Sequence, residues 1–170
     1  MSNSDSRIAV YTGSFDPITL GHLNVIQRGS RLVDKLIVGI GINVEKQAMF
    51  TPAERVEHVR HATARFGNVE VRQFSGLAVK FVRECGARVM IRGVRPLTDI
   101  EAEISMMMAN RQLDPGIETV FLMADQDFLH VSSSLIKQIA PLANDEELAP
   151  FVPPEVIAAL RKKLKAAAPS

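Results

Sequence analysis

The sequence predicts an α/β fold: a single domain with a five-stranded parallel sheet and helices on both of its faces. Three observations predict it. Five short apolar runs rich in branched residues alternate with segments of helical period, the order that builds parallel sheets through right-handed crossovers. Lys35-Leu-Ile-Val-Gly-Ile-Gly-Ile42 is almost continuously apolar, which suits a strand covered on both faces. The stretch from Tyr11 to His22 leaves a strand, turns at Gly13 and Pro17, and enters a helix, the arrangement in which free backbone N–H groups meet an anion.

The elements follow in order. Ile8 to Tyr11 reads as the first strand, and the spacing of Leu20, Leu23, Ile26 and Val33 predicts a helix from about Thr19. After the second strand, residues 43–50 form a polar loop carrying Lys46. Thr51-Pro-Ala-Glu54 is a capping box with proline at the first helical position, opening a helix to about Phe66 with Val56, Val59 and Phe66 lining one face and Thr63 between the last two. His58 and His61 sit among charged residues and read as surface. Val69 to Phe74 alternates as a third strand, Ser75-Gly76 opens a helix to about Cys85, and Arg88 to Arg92 is a fourth strand running into Gly93-Val-Arg-Pro96. A second capping box, Thr98-Asp-Ile-Glu101, begins a helix to about Leu113, with an apolar Met106-Met-Met-Ala109 that is either core or subunit contact. Pro115-Gly116 turns into the fifth strand, Ile117 to Met123, after which Ser132-Ser-Ser-Leu-Ile-Lys137 marks a helix start. The last helix spans about Pro154 to Ala167, with a solvated basic end at Arg161, Lys162, Lys163 and Lys165.

Composition narrows the class. The 170 residues are 46% hydrophobic and 23% charged, a globular balance, and the formal net charge of +1 gives no global attraction to nucleic acid or to an anionic membrane. An anionic ligand must therefore be held by local charge. The single Cys85 excludes an internal disulfide or a multi-cysteine metal centre and reads as core filler in a reducing compartment. Residues 1–6 are short and polar, a loose tail ahead of a domain over 7–168, and no apolar run reaches 18 residues. A soluble, cytoplasmic protein is expected.

In a doubly wound, Rossmann-like sheet, ligands bind beyond the carboxyl ends of the strands where strand order reverses. Ser14 and His22, Lys46, Ser75 to Ala78, Arg92 to Arg95 and Phe128 to Ser134 all follow expected strand ends, so five loops should converge on one crevice. Its inventory is cationic or hydroxylic: Lys46, Arg92, Arg95, His22, Ser14 and the serines 132–134. Arginine forks, a mobile ammonium and hydroxyls at a helix start make a phosphate cradle. No nucleophile with its base is evident, and phosphoryl or nucleotidyl transfer needs none, because positioning and charge stabilisation supply most of its catalysis.

Gly13-Ser-Phe-Asp-Pro-Ile-Thr-Leu-Gly-His22 resembles the signature of the nucleotidylyltransferase superfamily, with Thr19-Leu-Gly-His22 standing where many members have His-x-Gly-His. More narrowly, the chain resembles the bacterial phosphopantetheine adenylyltransferases over nearly its whole length. Met49-Phe-Thr-Pro-Ala-Glu-Arg55, Gly67-Asn-Val-Glu-Val71, Ile91-Arg-Gly-Val-Arg95, Asp99 to Glu103, Asn110-Arg111, Val120-Phe-Leu-Met123 and Ser132 to Lys137 carry that resemblance in order.

The resemblance implies transfer of the adenylyl group of ATP to 4'-phosphopantetheine with Mg²⁺, in a cytoplasmic homohexamer serving coenzyme A synthesis. Carried over by position, Ser14 would touch both substrates. Phe15 and His22 would touch ATP, as would Gly93, Val94, Arg95 and Glu103 and the loop Phe128, Leu129, His130, Val131, Ser132, Ser133 and Ser134. Lys46, Ala78 and Arg92 would hold phosphopantetheine. Ser14, His22, Lys46 and Arg95 would carry catalysis by orienting the acceptor phosphate and stabilising the transition state. Ser14 replaces the usual threonine and keeps its hydroxyl, while Ala78 and Phe128 also depart from the family pattern. Two other readings stay open: an adenylyltransferase acting on nicotinate mononucleotide, and a nucleotide-binding regulator without turnover.

Overall fold

A computed structural model of the chain describes residues 6–42, 47–95 and 100–167. In chain order the elements are β1 (Ile8–Gly13), α1 (Leu20–Ser30), β2 (Lys35–Ile42), α2 (Pro52–Thr63), β3 (Val69–Ser75), α3 (Ala78–Glu84), β4 (Val89–Val94), α4 (Ile100–Leu113) and β5 (Glu118–Met123). A single 3-10 turn (Gln126–Phe128), α5 (Ser133–Ile139), α6 (Asp145–Leu148) and α7 (Pro154–Ala167) complete them.

The five strands form one parallel sheet in the order β3-β2-β1-β4-β5. The chain winds outward from β1 to β3, then returns to the other side of β1 for β4 and β5, so the switch point lies between β1 and β4. Alternation along the strands divides the core between the two faces. Ala9, Tyr11, Leu36, Val38 and Ile40 pack with Val25 and Ile26 of α1, Val56 and Val59 of α2 and Leu160 of α7. Val10, Ile37 and Met90 point the other way, against Val79, Phe81 and Val82 of α3. Gly39 is required on that second face: a Cβ there would stand 2.5 Å from Phe81 Cε1.

Several boundaries differ from the sequence expectation for local reasons. Helix α1 ends at Ser30, whose hydroxyl turns back to the Gln27 carbonyl (2.9 Å), so Val33 lies beyond the helix. Helix α2 stops at Thr63, three residues short of Phe66. Ser75 is the last residue of β3, paired with Ile42, and Gly76 turns at φ +81° before α3 begins at Ala78. Strand β4 runs past Arg92 to Val94, paired through to Met123, which puts Gly93 and Val94 in the strand rather than in the loop after it. The short α6, held by an Asn144–Glu147 capping box, was not expected. The Thr51–Glu54 box forms as read, with Thr51 N–H donating to Glu54 Oε2 (2.8 Å) and Glu54 N–H to Thr51 Oγ1 (3.3 Å). The Thr98 capping box, the 43–46 part of the polar loop and most of the N-terminal tail lie outside the described residues.

His58 is only half a surface residue, because its ring packs edge-on against Phe50 (4.8 Å) and buries Nδ1. The basic end of α7 is also partly committed. Arg161 donates to Asp145 (2.7 Å) and to the Ala140 carbonyl (2.7 Å), and Lys163 pairs with Glu54 (2.9 Å). No helix among the described residues is long and apolar enough to cross a membrane.

Candidate active site

Two adjoining cavities open at the carboxyl ends of the strands around the switch point, of about 440 and 530 Å³. Both are lined by Thr12, Gly13, Ser14, Arg92 and Glu103, so these residues form a common wall. The smaller cavity continues to His22, Gly93, Val94, Arg95, Phe128 and the serines 132–134. The larger continues to Ala78, Met90, Met106, Met107 and Asn110.

The turn after β1 sets this wall. Phe15 takes a left-handed backbone (φ +48°) and folds its ring back into the core, fully buried, beside Tyr11 (5.3 Å between centroids) and His22 (5.0 Å). A Cβ on Gly13 would meet that ring at 2.9 Å, so the glycine is what lets Phe15 turn under. The Phe15 side chain lines neither cavity, while Ser14 lines both. Arg55, buried at the start of α2, donates one guanidinium nitrogen to the Ser14 carbonyl (2.8 Å) and to the Gly41 carbonyl at the end of β2 (3.0 Å).

His22 is held by the helix it helps to start. Thr19 is the N-cap of α1: its hydroxyl accepts from His22 N–H (3.3 Å), and its own N–H donates to His22 Nδ1 (3.1 Å). This is a capping box in which imidazole replaces the usual Glu or Gln. An Nδ1 that accepts leaves the proton of the neutral ring on Nε2. Burial, then the positive charges of Arg95 and Arg92, push the His22 pKa down to about 4, so the ring is neutral near pH 7. Leu20 N–H donates to the Phe151 carbonyl (2.8 Å) and Leu23 N–H to Thr19 (3.0 Å). Among the described residues this leaves Gly21 N–H unclaimed in the first turn, next to the His22 donor.

Arg92 is clamped in the common wall. Its Nε and one terminal nitrogen reach Glu103 as a fork (2.8 and 2.6 Å), and the other nitrogen donates to the Thr12 carbonyl (2.7 Å). Gly93 keeps room for the Tyr11 hydroxyl, which would lie 3.0 Å from a Cβ at that position. Burial raises the Tyr11 pKa far above neutrality, so its phenol stays protonated. Ser132 caps α5 by accepting from Leu135 N–H (3.0 Å), and Ser133 donates to the Pro17 carbonyl (2.8 Å). Asp125, held by Asn24 (2.7 Å), ties the loop after β5 to α1.

Of the residues singled out from sequence, Ser14, His22, Ala78, Arg92, Gly93, Val94, Arg95, Glu103, Phe128, Val131 and Ser132 to Ser134 line one cavity or both. Leu129 and His130 line neither, and the His130 ring instead packs edge-on against Phe151 (5.6 Å). Lys46 lies outside the described residues. Sequence reasoning missed Thr12, Tyr11 and Met90 as wall residues, and missed Thr19 as the orienter of His22. The Thr19-x-x-His22 spacing carried that last signal. Asn110 was matched as a motif without a role; it is buried, lines the larger cavity, and its side-chain amide donates to the Met90 sulfur (3.9 Å). Among the described residues no three His, Cys, Asp or Glu side chains are grouped as a metal centre.

The cytidylyltransferase-like family matches residues 10–139. A phosphopantetheine adenylyltransferase of Rhodopirellula baltica is 63% identical over 164 residues, covering 96% of this chain and 90% of its own. One from Clostridium botulinum strain Hall is 45% identical over 158 residues, covering 93% and 95%. A crystal structure from Vibrio parahaemolyticus, described provisionally as a nicotinate-nucleotide adenylyltransferase, superposes with a TM-score of 0.64 over 96% of this chain and 97% of that one. At 14% identity it shows the shared fold alone.

Proposed function

The chain belongs to the cytidylyltransferase-like family and, within it, to the phosphopantetheine adenylyltransferases, and we propose that it transfers the adenylyl group of ATP to 4'-phosphopantetheine, releasing dephospho-coenzyme A and pyrophosphate. The observation that carries this reading is the pair of cavities meeting at Thr12 to Ser14, Arg92 and Glu103. A transfer between two substrates needs two subsites with one shared boundary. The larger cavity, with Leu77, Ala78 and three methionines in its lining, suits a flexible arm ending in a thiol. The smaller one, with serines, arginines and a helix start, suits a nucleotide.

In this mechanism the acceptor phosphate lies against Ser14 and attacks the α-phosphorus of ATP in line, with no covalent intermediate. A phosphate monoester with a second pKa of about 6 is mostly dianionic at neutral pH, so orientation replaces a general base. His22 Nε2–H and Gly21 N–H meet the charge that develops on the α-phosphate, and Arg95 and Lys46 add positive charge. ATP would enter as its Mg²⁺ complex, and the ion would supply positive charge as pyrophosphate departs. Arg92, already neutralised by Glu103, acts as a rigid donor toward the acceptor side. The working assembly in this reading is a cytoplasmic homohexamer. Pyrophosphate release is the test: it should appear with ATP and phosphopantetheine and not with ATP and nicotinate mononucleotide. Release with the mononucleotide would reassign the acceptor, and release with neither would make the chain a nucleotide-binding regulator.

A further inference from the structure

The Asp16 carboxylate lies behind the catalytic wall and lines neither cavity, yet it is almost wholly buried and fully engaged. Its Oδ1 accepts from Phe50 N–H (2.8 Å), its Oδ2 from Met49 N–H (2.9 Å), and Oδ2 also pairs with Lys137 Nζ (2.5 Å). Met49 and Phe50 lie just before α2. Lys137 lies on α5, one turn after Ser133, whose hydroxyl bonds the Pro17 carbonyl next to Asp16 (2.8 Å). One carboxylate thus joins three separate segments: the turn bearing Ser14, the lead-in to α2, and the serine helix of the nucleotide cavity.

We propose that the Asp16–Lys137 pair is a positioning strut that fixes the separation of the two substrate subsites. The proposal rests on the adenylyl-transfer reading. A buried carboxylate is costly unless its partners are complete, and here two backbone N–H groups and one ammonium complete it. Neither Asp16 nor Lys137 lines either cavity. What the pair controls is how Ser14 and the loop before α2 stand relative to Ser132–Ser134. In-line transfer is sensitive to that spacing, since a displacement of about 1 Å can cost as much as about 10²-fold in rate.

The test compares Lys137→Gln, Lys137→Arg, Asp16→Asn and the double variant Asp16→Asn/Lys137→Gln. Lys137 is partly exposed, so Lys137→Gln keeps both backbone bonds to Asp16 and should fold. The strut predicts that Lys137→Gln lowers kcat about tenfold, while the dissociation constants of MgATP alone and phosphopantetheine alone, measured by calorimetry, stay within about twofold. Lys137→Arg should recover most of kcat. The double variant should be no slower than Asp16→Asn, because two halves of one contact are not lost twice. Normal kcat in Lys137→Gln would overturn the proposal, as would multiplicative losses in the double variant. Weakened MgATP binding in step with the lost rate would make Lys137 an ATP ligand instead. If Asp16→Asn fails to fold, the Lys137 pair of variants decides. A wild-type protein that releases no pyrophosphate would overturn the adenylyl-transfer reading and the strut with it, whereas an active wild type with an unaffected Lys137→Gln would remove the strut alone.

Discussion

At the scale of single residues, His22 shows how a local hydrogen bond fixes a chemical role. Because its Nδ1 accepts the Thr19 N–H (3.1 Å), the neutral ring presents Nε2–H, and burial with Arg95 and Arg92 keeps it neutral. In the proposed mechanism the ring serves as a donor and does not exchange a proton. Two predictions follow from that role. His22→Ala should lower kcat by about 10²–10³-fold, the usual loss for one preorganised donor, with little change in the ATP dissociation constant. Near-normal turnover would remove His22 from the chemistry. In the free protein, NMR titration should show His22 protonating only near pH 4, well below its ordinary 6.5. The unfolded chain then binds the extra proton between those two values, so this residue's contribution to stability is present above pH 6.5 and is lost as pH falls toward 4. The acid limb of kcat/KM should accordingly follow the acceptor phosphate near pH 6 and not His22. A His22 titration midpoint near 6.5 would break that account. The sequence displayed the Gly-His pair and its place at a helix start, but not the imidazole as half of a capping box, because that pattern is normally completed by Glu or Gln.

Among the elements, the first turn of α1 separates what the fold requires from what a ligand requires. A Cβ on Gly21 would meet the Phe128 carbonyl and Thr19 Oγ1 at 3.6 Å, an ordinary contact, so the fold itself has room for alanine. Gly93 is different, since Tyr11 and Val25 stand at 3.0 and 3.2 Å. Gly21→Ala should therefore leave the melting temperature unchanged or slightly raised, because alanine favours the helix, yet raise the KM for ATP about tenfold by crowding the N–H left for phosphate. An unchanged KM would show that no phosphate comes so close. Element identity was largely legible, since the five apolar runs and the Thr51–Glu54 box are local patterns. Strand ends were not. That β4 continues through Gly93 and Val94 depends on pairing with Leu122 and Met123, a contact between distant segments that no local pattern records.

For the molecule as a whole, the order β3-β2-β1-β4-β5 puts β1 beside β4 and so brings Ser14 and Arg92 to one wall. The sequence could say that loops after strands converge, but not which two strands flank the crevice. It also left Met106 to Ala109 open between core and contact. The structure settles their exposure: Met106 and Met108 are 56% and 58% exposed, and Ile100, Ile104 and Met108 repeat every four residues on α4. Strand β5 adds exposed Val120 and Met123 at the sheet edge. An apolar stripe on a helix and an apolar edge strand are both liabilities for a lone chain, and covering them with further copies removes both. The proposed homohexamer gives them that cover. Changing Ile104 and Met108 together to Glu should then yield a smaller species in sedimentation with the helical circular dichroism retained, since neither side chain is in the core of one chain. The same charges on a chain that still sediments as a hexamer would place its interfaces elsewhere. Because Met106 and Met107, next to this stripe, line the larger cavity, a dissociated variant should also bind phosphopantetheine less tightly while keeping its affinity for MgATP.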